Sequence, residues 1–319
     1  MAKKTRLLRN ALPKGYRLPE YEIERPISEG GFSVVYYATH LPTNERVVIK
    51  EYFPVKHARR LPTGRVETLT EEASRSFGLG IKRFFNEGSA LAKLSHPNIV
   101  HVTHMFRANN TVYMVMDFEV GRDMRWYIKR KNGGLTEKFM RTVFPEVLSG
   151  LKVLHENKIL HLDIKPANVL LRSGGHPLLI DFGAVKQAQG TGGLEVKGQT
   201  LTQGYAPLEQ HNHGNIGEWS DIYAVGATMY SCLSGKPPPS SVERITKDDL
   251  ETEIMAFEKK GYSRSLLDSM VRALKMDLTE RTQSVDEFLE LLKMKTDKSR
   301  VMSFLNQPIR LGRKDTHKS

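Results

Sequence analysis

The chain has 319 residues, 39% of them hydrophobic and 26% charged, enough for a large packed core and too ordinary a mixture for a disordered or fibrous protein. Its formal charge of +12 sits at the two ends: residues 1–17 hold six Lys or Arg and no acid, and residues 293–319 hold eight against two acids, so the body between them is neutral. No apolar run approaches the roughly 20 residues of a membrane-spanning helix. The basic start is not followed by the apolar stretch of a signal peptide, and a single cysteine, Cys232, excludes an intrachain disulfide, all of which suits a cytoplasmic protein.

In chain order, residues 21–51 read as three strands. EYEIERPI alternates, while SVVYYATH and ERVVIKEYF are β-branched and aromatic, with turn residues between them. Residues 52–79 are mixed and polar, carry the turn signal PTG, and read as an insertion, either a regulatory surface or a solvated loop, with the loop favoured. IKRFFNEGSALAKL (81–94) has helical apolar spacing and stops before the proline of HPNIV. IVHVTHMF and TVYMVMDF read as further strands, and beyond GRDM the spacing turns helical, in RTVFPEVLSGLKVLHEN, SDIYAVGATMYSCLSG, SRSLLDSMVRALKM and SVDEFLELLKMK. Strands first and helices afterwards imply an α+β chain in two lobes joined near 117–123. Cys232, in the apolar YSCLSG, reads as a buried small hydrophobe.

The stretch HLDIKPANVLL (161–171) gathers Asp163, Lys165 and Asn168 between apolar residues, and IDFG brings Asp181 thirteen residues after Asn168. Two short strands flanking the loop would carry these groups to one edge. Asn168 and Asp181 offer hard oxygen ligands suited to Mg²⁺, with phosphate oxygens and waters completing the octahedron. Asp163 is then free to accept a proton from an attacking hydroxyl, and Lys165 to neutralise charge on a transferring phosphoryl group. Upstream, ISEGGFSVVYYA (27–38) sets Gly30 and Gly31 in a strand–turn–strand where backbone can approach phosphates closely, or simply make a hairpin. VVIK ends in Lys50, and Glu87, within the helical run, is the kind of partner that would hold it.

This order of motifs (glycine turn, VVIK, helix Glu, HPNIV, HLDIKPAN, DFG and GYAPLEQ) resembles the eukaryotic-type Ser/Thr protein kinases from residue 21 to about 292. The resemblance implies a two-lobed kinase fold: an N-lobe of antiparallel sheet plus one helix (18–118, insertion 52–79) and a mainly helical C-lobe (119–295), between basic tails 1–17 and 296–319. It implies that Lys50 holds the α and β phosphates of ATP and pairs with Glu87. Asp163 is then the catalytic base, Asn168 and Asp181 the Mg²⁺ ligands (Mn²⁺ being an alternative ion), and Lys165 the γ-phosphate contact. Ser28, Glu29, Gly30, Gly31, Phe32 and Ser33 form the turn over the phosphates. Met116 becomes the gatekeeper, Asp117, Phe118 and Glu119 face the adenine edge, and Asp123 lies near the ribose. Leu170 is the floor under the purine, with Ile27, Val35 and Val48 around it. Glu209 and Arg281 match a buried ion pair that anchors the activation segment. Thr202 lies beside the substrate site and, with Lys165, favours Ser/Thr over Tyr acceptors on protein substrates. IKEYFP with its following insertion, and the wording GYAPLEQ, resemble bacterial members.

Two positions depart from the family. Ser28 and Ser33 stand where its turn has glycines, and Leu162 stands where it has the Arg that reads a phosphate on the activation loop. Leucine cannot donate to phosphate, so the usual phosphate-docking switch is not expected, although Arg83 and Lys186 remain basic and Thr191 and Thr200 are acceptors for autophosphorylation. A pseudokinase acting as a scaffold, a small-molecule kinase and a nucleic-acid binder built on the tails are the competing readings. The complete set of site residues weighs against the first. The GYAPLEQ anchor with Arg281 weighs against the second. The third lacks the aromatic residues that a single-strand platform interleaves with its basic ones, so the tails are read as solvated ends open to a regulatory partner.

Overall fold

The computed structural model describes residues 8–181, 186–187 (backbone only), 201–212 and 214–293. These residues fall into two compact units, one of residues up to 127 with 146–202, the other of 128–145 with those from 203 onward.

The first unit is built on a five-stranded antiparallel sheet ordered β1-β2-β3-β7-β6. Its strands are β1 (Tyr21–Glu29), β2 (Ser33–His40), β3 (Glu45–Tyr52), β6 (Val102–Ala108) and β7 (Thr111–Asp117). Period-two alternation sorts the side chains onto two faces. Cross-strand pairing puts Val35 beside Lys50 and Lys50 beside Met114, with Val48 beside Met116, on one face. The other carries Tyr36 beside Ile49 and Glu51 beside Tyr113.

Helix α1 (Glu71–Leu91) packs on the sheet. It begins well before the expected residue 81, because Thr70 Oγ1 caps it by accepting from the Ala73 N–H at 3.1 Å, with Glu71 and Glu72 favouring its positive end. Gly88 permits the close approach: a Cβ there would lie 2.3 Å from Met105 Sδ and 2.9 Å from Met114 Cε.

The insertion is not a solvated loop. It forms a hairpin of β4 (Ala58–Arg60) and β5 (Val66–Thr68) that delivers Arg60 to Glu51 at 2.5 Å, with side-chain exposures of 8% and 0%. Glu51 also accepts from Tyr36 Oη at 2.6 Å and Tyr113 Oη at 2.8 Å, and the Arg60 guanidinium lies 4.8 Å from the Phe53 ring centre. A carboxylate on the buried side of a strand needs such partners, and the hairpin supplies the charged one. The described part of the expected N-terminal tail is also corrected. Residues 8–17 run beside β1, with Leu12 buried and the Gly15 N–H on Ile23 O at 2.8 Å, because the leucines among the basic residues have apolar surface to cover.

Also in this unit, β8 (Gly121–Asp123), β10 (Val169–Arg172) and β11 (Pro177–Leu179) form a three-stranded sheet ordered β11-β10-β8. β9 (Ile159–Leu160) pairs with β12 (Lys186–Gln187). Helix α2 (Met124–Lys131) follows β8, and α3 (Glu137–Glu156) contributes residues to both units and has Pro145, which has no N–H for the helix ladder, inside it.

The second unit is helical: α4 (Leu208–His211), α5 (Glu218–Ser234), α6 (Ser241–Thr246), α7 (Leu250–Met255), α8 (Arg264–Ala273) and α9 (Val285–Lys293). α5 is predominantly apolar and is buried from Ser220 to Leu233, its Ser220, Asp221, Thr228 and Ser231 included, the fate of a helix without a solvated polar face. Gly235, at φ +83°, ends it in the left-handed turn that glycine takes without strain. Cys232 is fully buried and burial pushes its thiol well up, away from reactivity. Among the described residues, no helix is long and apolar enough to cross a membrane.

Candidate active site

Asp163, Lys165 and Asn168 lie between β9 and β10, and Asp181 follows β11. β10 and β11 pair in antiparallel register, Val169 opposite Leu179, and the Ile180 N–H donates to Asn168 O at 3.0 Å. That pairing brings Asn168 and Asp181 to one end of the small sheet.

Asp163 is held from several sides. Lys165 Nζ lies 2.8 Å from both carboxylate oxygens, Thr202 Oγ1 donates to Oδ1 at 3.0 Å, and Asn168 Nδ2 donates to Oδ2 at 3.0 Å. Lys165 Nζ also reaches Thr202 Oγ1 at 2.9 Å. A hydroxyl and an ammonium thus share one carboxylate oxygen, the arrangement required to take a proton from an alcohol beside a neutralising cation.

Asn168 Nδ2 donates to Asp163 O at 2.8 Å as well as to its carboxylate. Both partners are acceptors, which fixes the amide orientation and leaves Oδ1 as the atom available to a cation. The Asp181 side chain is 46% exposed, and its Oδ1 pairs with Lys50 Nζ. Lys50 beside it holds the Asp181 carboxyl below the usual carboxylate range. One carboxylate and one amide oxygen, close in the chain fold, fit Mg²⁺ that takes its remaining ligands from phosphate and water.

The structure departs from expectation at Lys50 and Glu87. Lys50, buried on β3, pairs with Asp181, and Glu87 has no ion-pair partner within 4 Å among the described residues. Gly88 packing against Met114, the cross-strand neighbour of Lys50, nevertheless brings Glu87 close enough to feel Lys50. Burial pushes the Glu87 carboxyl up to about 8, against the opposing pull of Lys50 and Arg83. Between its ordinary 4.5 and about 8, the native state keeps a proton that the unfolded chain has released. Stability relative to a Glu87→Gln variant therefore falls as pH rises through that window, by up to about 1.4 kcal/mol per pH unit. Urea unfolding of both proteins from pH 5 to 8 checks this, and parallel profiles contradict it.

The remaining positions lie around the sheet face that carries Lys50. Val35 and Val48 share it, Met116 closes it in β7, and Ile27 is exposed at its edge. Asp117 ends β7 and its N–H donates to His101 O at 3.1 Å. Phe118 meets Tyr37 edge-on at 5.4 Å between ring centres, under the Arg46 guanidinium at 5.2 Å. Glu119 pairs with Arg172 at 3.3 Å. Leu170 sits opposite Asp123 in the β10–β8 pair and is half-buried while Val169 and Leu171 are fully covered. The glycine turn is closed by the Gly30 N–H on Ser33 O at 2.8 Å and tied to the chain after β3 through Phe32 O and Gly31 O, which accept from Phe53 and Val55 at 2.8 and 3.1 Å. Leu162 is buried with φ +59°, and Asp181 has φ +62°, left-handed backbone that costs non-glycine residues about 1–3 kcal/mol and clusters at functional sites. Phe182, Gly183, Thr191, Thr200 and the Lys186 side chain lie outside the described residues.

A model of the protein kinase domain family matches residues 21–301. A probable serine/threonine-protein kinase of Dictyostelium discoideum is 28% identical over 267 residues, 80% of this chain and 52% of that protein. The probable serine/threonine-protein kinase PknB of Lactococcus lactis is 29% identical over 215 residues, 66% of this chain and 34% of that protein. The chain thus spans between about a third and about half the length of these curated relatives. A solved structure, PpkA-294 in its apo form, superposes with a TM-score of 0.76 at 33% identity, covering 89% of this chain and all of that one.

Proposed function

The chain belongs to the protein kinase family and has its fold, and from that premise we propose that it is a Ser/Thr protein kinase that transfers the γ-phosphoryl group of Mg·ATP to protein hydroxyls. The observation that carries the reading is the contact of Thr202 Oγ1 with Asp163 Oδ1 at 3.0 Å, with Lys165 Nζ 2.9 Å from the same hydroxyl. An acceptor serine or threonine takes the place of that hydroxyl. Asp163 receives its proton, its oxygen bonds to the γ-phosphorus, and the bond to the β-phosphate oxygen breaks to leave ADP.

Asn168 Oδ1 and Asp181 would hold Mg²⁺ or Mn²⁺, which when bound supplies charge neutralisation on the phosphate oxygens. Lys50 moves from Asp181 to the α and β phosphates, and Glu87 ionises to receive it. The glycine turn, Ser28 to Ser33, covers the phosphates with backbone N–H groups, and the smallness of its serines preserves that approach. Met116, Asp117, Phe118 and Glu119 line the adenine edge, with Asp123 at the ribose and Leu170, Ile27, Val35 and Val48 around the purine. A nucleotide-binding scaffold is favoured by one observation, the pairing of Lys50 with Asp181 in place of Glu87. Phosphoserine or phosphothreonine on the protein after incubation with Mg·ATP supports the kinase; nucleotide binding without it supports the scaffold.

Leu162 adds a regulatory expectation. It is 5% exposed and apolar, and its side chain has no donor to offer an activation-loop phosphate. Wild-type protein treated with phosphatase and re-assayed on a peptide substrate retains most of its initial rate. Loss of activity on that treatment contradicts the reading.

A further inference from the structure

Residues 8–20 lie before the segment that matches the kinase family, yet they touch the glycine turn. Asn10 Nδ2 donates to Glu29 Oε1 at 2.6 Å, and the Asn10 N–H lies 3.5 Å from Oε2. On its other side Asn10 O accepts from Arg60 Nε at 2.5 Å, the same Arg60 that pairs with Glu51. Two residues on, Leu12 is 1% exposed and its N–H donates to Tyr36 Oη at 3.1 Å, and Tyr36 itself donates to Glu51. Asn10 is therefore fixed on one side to the buried Glu51 network and holds Glu29 with the other. Glu29 ends β1, directly before Gly30 and Gly31. The turn is also held by the Phe53 and Val55 contacts and, at its ends, by the pairing of Ser28 with Val35 and of Ser33 with Tyr52; Asn10 adds a tie from outside the sheet.

We propose that Asn10 is a positioning residue for nucleotide: through Glu29 it holds the glycine turn at the height at which its backbone N–H groups meet the phosphates. The segment preceding the family domain is on this account part of the nucleotide site. A mobile turn loses entropy on closing over a ligand, and a turn already held does not, so the contact raises affinity by preorganisation. The inference rests on the kinase reading for the identity of the ligand but not for the coupling itself.

The test uses the full chain, with Mg·ATP as the probe. Asn10→Ala weakens Mg·ATP binding by about three- to tenfold, the share of one charge-assisted hydrogen bond passed to the turn, and raises the KM for ATP with kcat within about twofold. Asn10→Asp, which sets a carboxylate against Glu29, weakens it further. Asn10→Asp combined with Glu29→Gln exchanges donor and acceptor and recovers much of the loss. In the nucleotide-free protein, amide hydrogen exchange of residues 28–33 is faster in Asn10→Ala than in wild type. Unchanged affinity with unchanged exchange overturns the proposal, as does a fall in kcat and stability with KM unaltered, since that marks a purely structural contact. The exchange measurement needs no nucleotide, so failure of the wild type to bind Mg·ATP counts against the kinase reading alone.

Discussion

Asp163→Asn lowers phosphoryl transfer by about 10²–10⁴-fold, the range for loss of a general base, while nucleotide binding is kept. The asparagine is isosteric and its Oδ1 still accepts from Thr202 or Lys165, so the loop keeps its shape. What it loses is the ability to take the acceptor's proton. The two carboxylate oxygens now receive four hydrogen bonds, two from Lys165 and one each from Thr202 and Asn168. The amide nitrogen of the variant faces at least one of those donors, which costs some stability, so the rate is compared at a temperature well below either midpoint. A loss of less than about tenfold contradicts the role of base.

Arg281→Ala destabilises the protein by about 3–5 kcal/mol, the cost of leaving one member of a buried pair without the other. Arg281 is fully buried, and its Nη1 donates to Glu209 Oε1 at 2.6 Å. Its Nε donates to Lys275 O at 2.8 Å, and the guanidinium lies 5.0 Å from the Tyr223 ring centre. Glu209, 6% exposed, keeps among the described residues the side-chain bond from Ser220 Oγ, at 2.8 Å, once the arginine is gone. Replacing both residues by methionine costs less than removing either alone, because no charge is then left buried. Urea unfolding of the two single variants and the double variant reads this. A single variant within about 1 kcal/mol of wild type contradicts it, since that is what an exposed pair is worth.

The clustering of the candidate site residues was legible where they lie close in sequence. Asp163, Lys165 and Asn168 span one short loop, and two strands that pair locally fix their geometry and that of Asp181. The long helices were equally readable, because a period of 3.6 over many turns leaves few alternatives. The partner of Lys50 was not, because it depends on where α1 sits, and α1 is placed by contacts of Gly88 with Met105 and Met114 that no local pattern announces. The start of α1 was obscured by Gly78 and Gly80, though Thr70 followed by Glu71 and Glu72 carried the capping signal.

The hairpin was missed because its strands have three residues each, too few for alternation to show. One signal did exist. Period two puts Glu51 on the same side of its strand as Ile49 and Phe53, all three fully buried, and a charge on that side demands a cation from elsewhere in the chain.

The measurement that bears most directly on the central claim is transfer of labelled γ-phosphate from Mg·ATP to the protein itself and to a basic acceptor, with Asp163→Asn and Lys50→Met beside the wild type. The predicted result is label on serine or threonine in the wild type and its loss in both variants. Equal label in wild type and Asp163→Asn, or none in a wild type that binds Mg·ATP, contradicts the assignment.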